Sequence, residues 1–287
     1  MLGATLVNGV VVGLMYGLLA MALILLLQTT GTFNFAQGDL GMLVAFISYV
    51  LITSGKLAVG WAVLAALPIS AAIGTLLYFM VIRPGTADST ELSLRSLGML
   101  VLFVAVAQRL WGTNAPYTFP KLLPDSGFAL FNFNVTYLQV ATLVFTLALA
   151  LVVAAVLHKT RVGLLIRAVR ANREAAAELG VNVMLIEVAA WAAAAVVSGV
   201  VGILFAMLNF LAPVMMAPFL LSAFAAAMLG GLYSMSGALA GGVLLGLVQS
   251  VSSVYLNQPE WTSLIAFFIL LAGLLLRRDA ARASVST

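Results

Sequence analysis

Val188–Pro259 is a run of 72 residues without one charged side chain. A second uncharged run covers Ser126–Leu157, and the first charge in the chain is Asp39. Soluble domains carry about 25% charged residues; this chain of 287 carries 8%, with 64% hydrophobic. So much apolar side chain needs lipid as its solvent. Crossing the hydrocarbon takes ~20 apolar residues, so the longest run alone has room for about three crossings. In lipid every backbone N–H and C=O must be satisfied internally, which leaves helices or closed barrels. The apolar runs do not alternate with period two, which argues against a barrel. The expected fold class is all-α, a polytopic transmembrane helix bundle read as one domain over residues 1–287.

Hydropathy places spans near Leu6–Leu27, Leu40–Ile52, Val59–Ile82, Leu92–Trp111, Val135–Leu157, Met184–Asn209, Phe219–Leu232, Gly237–Leu256 and Thr262–Leu276. The first has no positive flank and is too long for a signal-peptide core, so it reads as a retained span. Leu40–Ile52 and Phe219–Leu232 are short; each reads either as a broken or re-entrant element beside a pathway or as a fully buried short helix. Lysine and arginine set orientation. Arg83, Arg95, Lys159, Arg161, Arg167, Arg170, Arg173, Arg277, Arg278 and Arg282 fall on one side if the spans alternate, which makes residues 158–183 and the tail 277–287 cytoplasmic. Lys56, Lys121 and Arg109 fall on the other side. The loop Gly112–Asn134, with Pro116, Pro120 and Pro124 plus Tyr117, Phe119, Phe128 and Phe131, reads as extended and interfacial, or as a contact for an external partner.

Residues His158–Val183 hold seven of the 22 formal charges. The spacing predicts an amphipathic helix over Leu164–Leu179. Leu165, Val169, Asn172, Ala176 and Leu179 fall on one face, and Arg167, Arg170, Glu174 and Glu178 on another. Arg170 and Glu174 stand at i,i+4, and Gly180 stands where a glycine ends a helix. A charged helix held between membrane spans reads as a docking handle for a partner outside the membrane, or as an ordinary solvated loop.

Three motifs carry a resemblance. Glu174-Ala175-Ala176, three residues, then Gly180 is similar to the EAA–x3–G coupling motif of ABC importer permeases. Phe33-Asn34-Phe35-Ala36-Gln37-Gly38-Asp39 resembles the N-F-A-H-G-[DE] signature of the branched-chain (Liv-type) permease subfamily, with Gln37 in the place of its histidine. Phe224–Gly231 followed by Ser236-Gly237-Ala238, Gly241-Gly242 and Gly246 resembles that subfamily's later glycine-rich stretch, and Thr160–Val183 its form of the coupling loop. The resemblance runs along nearly the whole chain, and the length fits the shorter, LivH-like member of the pair. After Asp39 the residues Leu-Gly-Met-Leu-Val-Ala-Phe depart from the subfamily's tyrosine- and glycine-richer form.

The resemblance implies a subunit of the bacterial inner membrane that forms half of a translocation pathway for branched-chain or other apolar amino acids. It implies a second permease subunit (LivM-like), two cytoplasmic ATPase subunits and an external solute-binding protein. Arg167, Arg170, Arg173, Glu174, Ala175, Ala176, Glu178 and Gly180 would couple the chain to the ATPase. No cofactor is expected on this chain; ATP and Mg would sit on the ATPase partners. Consistent with that, no Walker A sequence is present: the sole Gly-Lys, Gly55-Lys56, is followed by Leu57. No metal site, hydrolytic pair or nucleic-acid surface is read either. The alternative is an ATP-independent channel or a secondary transporter for a small neutral solute, although ion-coupled carriers need intramembrane ionisable groups.

Polar residues inside spans often line a path, and the candidates are Asn34, Gln37, Asp39, Asn209 and Gln249. Asn34, Gln37 and Asp39 surround Gly38, where a helix can break; Asp39 reads first as a helix N-cap. Gly230, Gly231, Gly237, Gly241, Gly242 and Gly246 read as helix-packing residues. The steps Gly237–Gly241 and Gly242–Gly246 lie on two adjacent faces, where glycine lets backbones approach.

Overall fold

The computed structural model describes residues 2–84, 89–112, 116–124, 126–130, 133–255 and 264–272. Among the described residues six helices are long and apolar enough to cross a membrane: α1 (Leu2–Thr30), α3 (Val59–Leu77), α4 (Ser89–Trp111), α5 (Tyr137–Lys159), α8 (Val183–Leu208) and α10 (Met235–Tyr255). A π-helical turn, Tyr78–Ile82, prolongs α3 to the end of the span foreseen from hydropathy. Two shorter apolar helices, α2 (Gln37–Thr53) and α9 (Ala217–Gly230), lie at the two short segments. Residues 264–272 are helical within the ninth. The chain is a multi-pass membrane protein.

Backbone contacts divide the chain into two compact units. One contains Met1–Met21, Asp125–Leu147 and Pro218–Thr287. In it α1 and α10 touch backbone to backbone: a Cβ on Gly242 would lie 2.6 Å from the Gly13 carbonyl oxygen, and one on Gly13 2.7 Å from Val243 Cα. Tyr16 meets Phe219 with ring centroids 4.4 Å apart. This unit also holds a hairpin, β1 (Gly127–Leu130) and β2 (Phe133–Thr136), antiparallel with Gly127 opposite Thr136.

The other unit contains Ala22–Pro124 and Ala148–Ala217. Its axis is α8, against which α2 and α3 pack. Close approach at glycine is the cause: a Cβ on Gly41 would come within 2.5 Å of the Ser198 carbonyl oxygen, and one on Gly74 within 2.6 Å of that of Trp191. Small residues allow such contact where lipid provides no hydrophobic drive. Trp191, Ala194, Ala195 and Val201 of α8 are buried there.

Part of the loop after α4 packs on protein. Tyr117 exchanges backbone hydrogen bonds with Leu211 (2.8 and 2.9 Å) and its ring meets Tyr49 and Phe46, while Phe119 is buried. This part of the loop is held by protein, because it finds both a strand-like partner and an aromatic bed. Phe128 is exposed on β1, and Phe131 lies outside the described residues.

Candidate functional site

The charged segment is two helices, not one. α6 spans Arg161–Ala171 and α7 spans Arg173–Glu178, separated by Asn172 in extended conformation (φ −157°, ψ 111°). The break has a local cause. The Asn172 side chain accepts a hydrogen bond from the Ala175 N–H at 3.0 Å, so it caps α7 instead of continuing α6. Thr160 caps α6 through Gly163, and Asn182 caps α8 through Leu185. At the far end of α7 Gly180 adopts φ +84°. Its N–H bonds the Ala177 carbonyl and that of Val181 bonds Ala176, the paired closure that needs a left-handed residue.

The break changes which residues face outward. Val169 and Ala176 are buried, but Leu179, placed by the single-helix reading on that same face, is 85% exposed. Arg170 and Glu174 stand on either side of the break and lose the continuous helical i,i+4 relation. Arg167 turns inward and donates to the Leu157 carbonyl at the end of α5. Arg173 also reaches inward, to Glu187 on α8: Nη1 lies 2.6 Å from Oε1 and Nη2 donates to Oε2 at 3.2 Å. Both arginines nevertheless remain exposed, as do Arg170, Glu174, Glu178 and Leu179 on the same stretch of chain. The eight residues expected to couple the chain to an ATPase therefore differ in what they contact: Arg167, Arg173 and Ala176 hold the segment to the protein, Ala175 and Gly180 shape α7, and the others face outward.

Asn34, Gln37 and Asp39 are brought together and buried. Asn34 Nδ2 donates to Gln37 Oε1 (2.8 Å), and Asn34 Oδ1 accepts from the Ala36 N–H (3.0 Å). Gln37 Nε2 donates to the Ala194 carbonyl (2.8 Å) and to Ser198 Oγ (2.7 Å), both on α8. The amides thus cross-link the start of α2 to the middle of α8. Ser96 on α4 adds to this junction by accepting from the Phe35 N–H at 3.0 Å. Asp39 is not the N-cap, which is Ala36; it lies in the first turn of α2, where a carboxylate is favoured by the helix dipole. Its Oδ1 is buried without a hydrogen-bond partner.

Asn209 is exposed and returns its amide to the Phe205 carbonyl (3.3 Å), closing the end of α8. Gln249 is buried in the first-described unit and donates to Ser222 Oγ on α9 (3.2 Å). The glycines of α10 divide between two neighbours. Gly237 meets Gly230, and Gly241 meets the Ala226 carbonyl, both on α9; Gly242 and Gly246 meet α1. Gly231 (φ +93°) ends α9.

Two features escaped the sequence reading. Gly9, Gly13 and Gly17 of α1 form the matching side of the α1–α10 contact. Their four-residue spacing is the same signal that marked Gly242 and Gly246. Glu187 and Tyr78 form the second: the Tyr78 hydroxyl donates to Glu187 Oε2 at 2.9 Å. No spacing rule joins two residues 109 positions apart. Among the described residues no three His, Asp or Glu converge on a metal-sized space.

A sequence model of the family described as "Branched-chain amino acid transport system / permease component" matches residues 5–274. The chain is 27% identical to the high-affinity branched-chain amino acid transport system permease protein LivH of Escherichia coli (strain K12) over 288 residues, 93% of this chain and 91% of that one. It is 27% identical to the corresponding protein BraD of Pseudomonas aeruginosa over 292 residues, 95% and 92%. With the probable branched-chain amino acid transport permease protein LivH of Methanocaldococcus jannaschii it shares 26% over 260 residues, 87% and 81%. A solved structure of PsaBC from Streptococcus pneumoniae in complex with Fab is similar at 14% identity over 93% of this chain and 89% of that one, with a TM-score of 0.49, and adds nothing to the family match.

Proposed function

Because this chain belongs to the family of branched-chain amino acid transport system permease components, we propose that α6 and α7 are its docking surface for a cytoplasmic ATPase and that the helix bundle passes an apolar amino acid through the inner membrane. The observation that carries the docking role is the division of the charged segment. Arg167 and Arg173, themselves exposed, reach back to α5 and α8, while Arg170, Glu174, Glu178 and Leu179 stand exposed beside a glycine-closed turn. An exposed leucine among charges of both signs suits a protein partner better than water or lipid.

The pathway is completed by a second, LivM-like permease subunit, and an external binding protein delivers the solute. ATP and Mg are held by two ATPase subunits, so this chain performs no chemistry itself. Closure of the ATPases moves α6 and α7, and the membrane helices alternate between outward and inward access. The buried amides of Asn34 and Gln37 fix the α2–α8 junction, so among the candidate polar residues they serve the frame of the pathway. The branched-chain preference comes from the named relatives.

The test is purification from membranes with identification of the associated chains, comparing wild type with Glu174→Arg. Wild type is expected to recover a Walker-containing ATPase in stoichiometric amount, and the charge reversal to lose it. Recovery of this chain alone, or retention of the ATPase after reversal, refutes the docking role. Leucine uptake by the reconstituted complex, competed by isoleucine and valine but not by lysine, tests the solute class.

A further inference from the structure

Resting on the permease reading above, we propose that Glu187 and Tyr78 are positioning residues that, with Arg173, form the tie through which movement of the docking segment reaches the membrane helices. One carboxylate joins three elements. Glu187 projects from the first turns of α8, Arg173 reaches it from α7, and Tyr78 reaches it from the π-helical turn that ends α3. Glu187 is fully buried and is the sole charged residue of α8.

An ion pair between a fully buried carboxylate and a largely exposed arginine is a poor way to gain stability, since desolvation of the carboxylate offsets much of the attraction. What it provides is direction. One directed hydrogen bond, Nη2 to Oε2, and the charge contact of Nη1 with Oε1, which makes no hydrogen bond, hold the planar guanidinium against the carboxylate. The Tyr78 hydroxyl then orients the same carboxylate from the opposite element. Wide π-type turns occur often at functional sites, and this one presents Tyr78 at its first residue.

The receiving end is stiff. α8 meets α2 at Gly41 and α3 at Gly74 with backbones in contact, and Gln37 and Ser70 add hydrogen bonds to α8 carbonyls. Close-packed contacts transmit displacement rather than absorb it. A pull on Arg173 therefore moves α8 together with α2 and α3. Arg167, through the Leu157 carbonyl, ties α6 to α5 in the same way. The docking segment is thus attached to the bundle at defined points, and outward-facing Glu174 and Glu178 remain for the partner.

The test uses the full complex reconstituted in vesicles with ATPase and binding protein. ATPase recovery, ATP hydrolysis and leucine uptake are measured for wild type, Glu187→Gln and Tyr78→Phe. Both variants are expected to retain the ATPase and its hydrolysis, whereas leucine taken up per ATP falls at least ~5-fold in Glu187→Gln, the lower end of ordinary inter-site coupling, and less in Tyr78→Phe. A purely structural role would lower assembly and uptake together and leave the ratio unchanged; that result overturns the tie. If Glu187→Gln does not assemble, Tyr78→Phe, which keeps the ion pair, decides by the same ratio. A wild-type chain that recovers no ATPase would overturn the underlying permease reading, whereas recovery with an unchanged ratio in both variants overturns the tie alone.

Discussion

Gln37→Leu removes three hydrogen bonds from a buried junction while nearly conserving volume. Gln37 Oε1 accepts from Asn34, and the two N–H groups of Nε2 go to the Ala194 carbonyl and Ser198 Oγ. The groups left behind recover unequally. Ser198 can rotate its hydroxyl onto the Ala194 carbonyl, one helical turn back, which satisfies both. Asn34 Nδ2 has no such option and stays buried without an acceptor, at about 1–3 kcal/mol. The two lost interhelical bonds add about 0.6 kcal/mol each at the average measured within membranes. The total expected loss is about 2–4 kcal/mol. Gln37→His makes the opposite prediction. Imidazole Nδ1 can accept from Asn34 while Nε2–H donates toward Ser198, so its cost stays below about 1 kcal/mol. The assay is equilibrium unfolding of the purified protein in detergent by increasing SDS, followed by tryptophan emission. Equal unfolding of wild type and Gln37→Leu, or equal damage by leucine and histidine, refutes the account of Gln37 as the cross-link between α2 and α8.

Gly202→Leu places a side chain into the backbone of Gly41 and is expected to prevent recovery of folded protein, whereas Gly98→Ala, at a position with nothing within 4 Å, raises stability by about 0.5–1 kcal/mol through helix propensity; both are read by the same unfolding assay. Asn172→Ala removes the cap of α7 at about 1 kcal/mol, and Gly180→Ala strains its closing turn by about 1–2 kcal/mol. Each should weaken ATPase co-purification while leaving the unfolding midpoint of the bundle unchanged; a wild-type yield of complex in both refutes the role given to the shape of α7.

Hydropathy alone located the apolar helices, because a lipid solvent leaves the backbone no alternative to internal hydrogen bonding. Val59–Ile82 was legible end to end, although its closing π turn was not. Gly180 was legible as a helix end. The break at Asn172 was missed, yet its signal was present: an asparagine followed by a glutamate in the first turn suits a helix start. Amphipathic spacing outweighed it, and the result was a wrong face for Leu179. The α1 glycines carried the same four-residue spacing as those of α10 and were passed over.

What the sequence by itself determined is local: spans, caps, the charged handle between membrane helices, and the family motifs at their spacing. Only the tertiary structure decided which partners these residues take. Gln37 finds Ala194 across 157 positions, and Arg173 finds Glu187 instead of a neighbour on its own helix. Periodicity reports which side chains share a face of one element, whereas a buried hydrogen bond or ion pair is satisfied by whichever element the packing brings opposite.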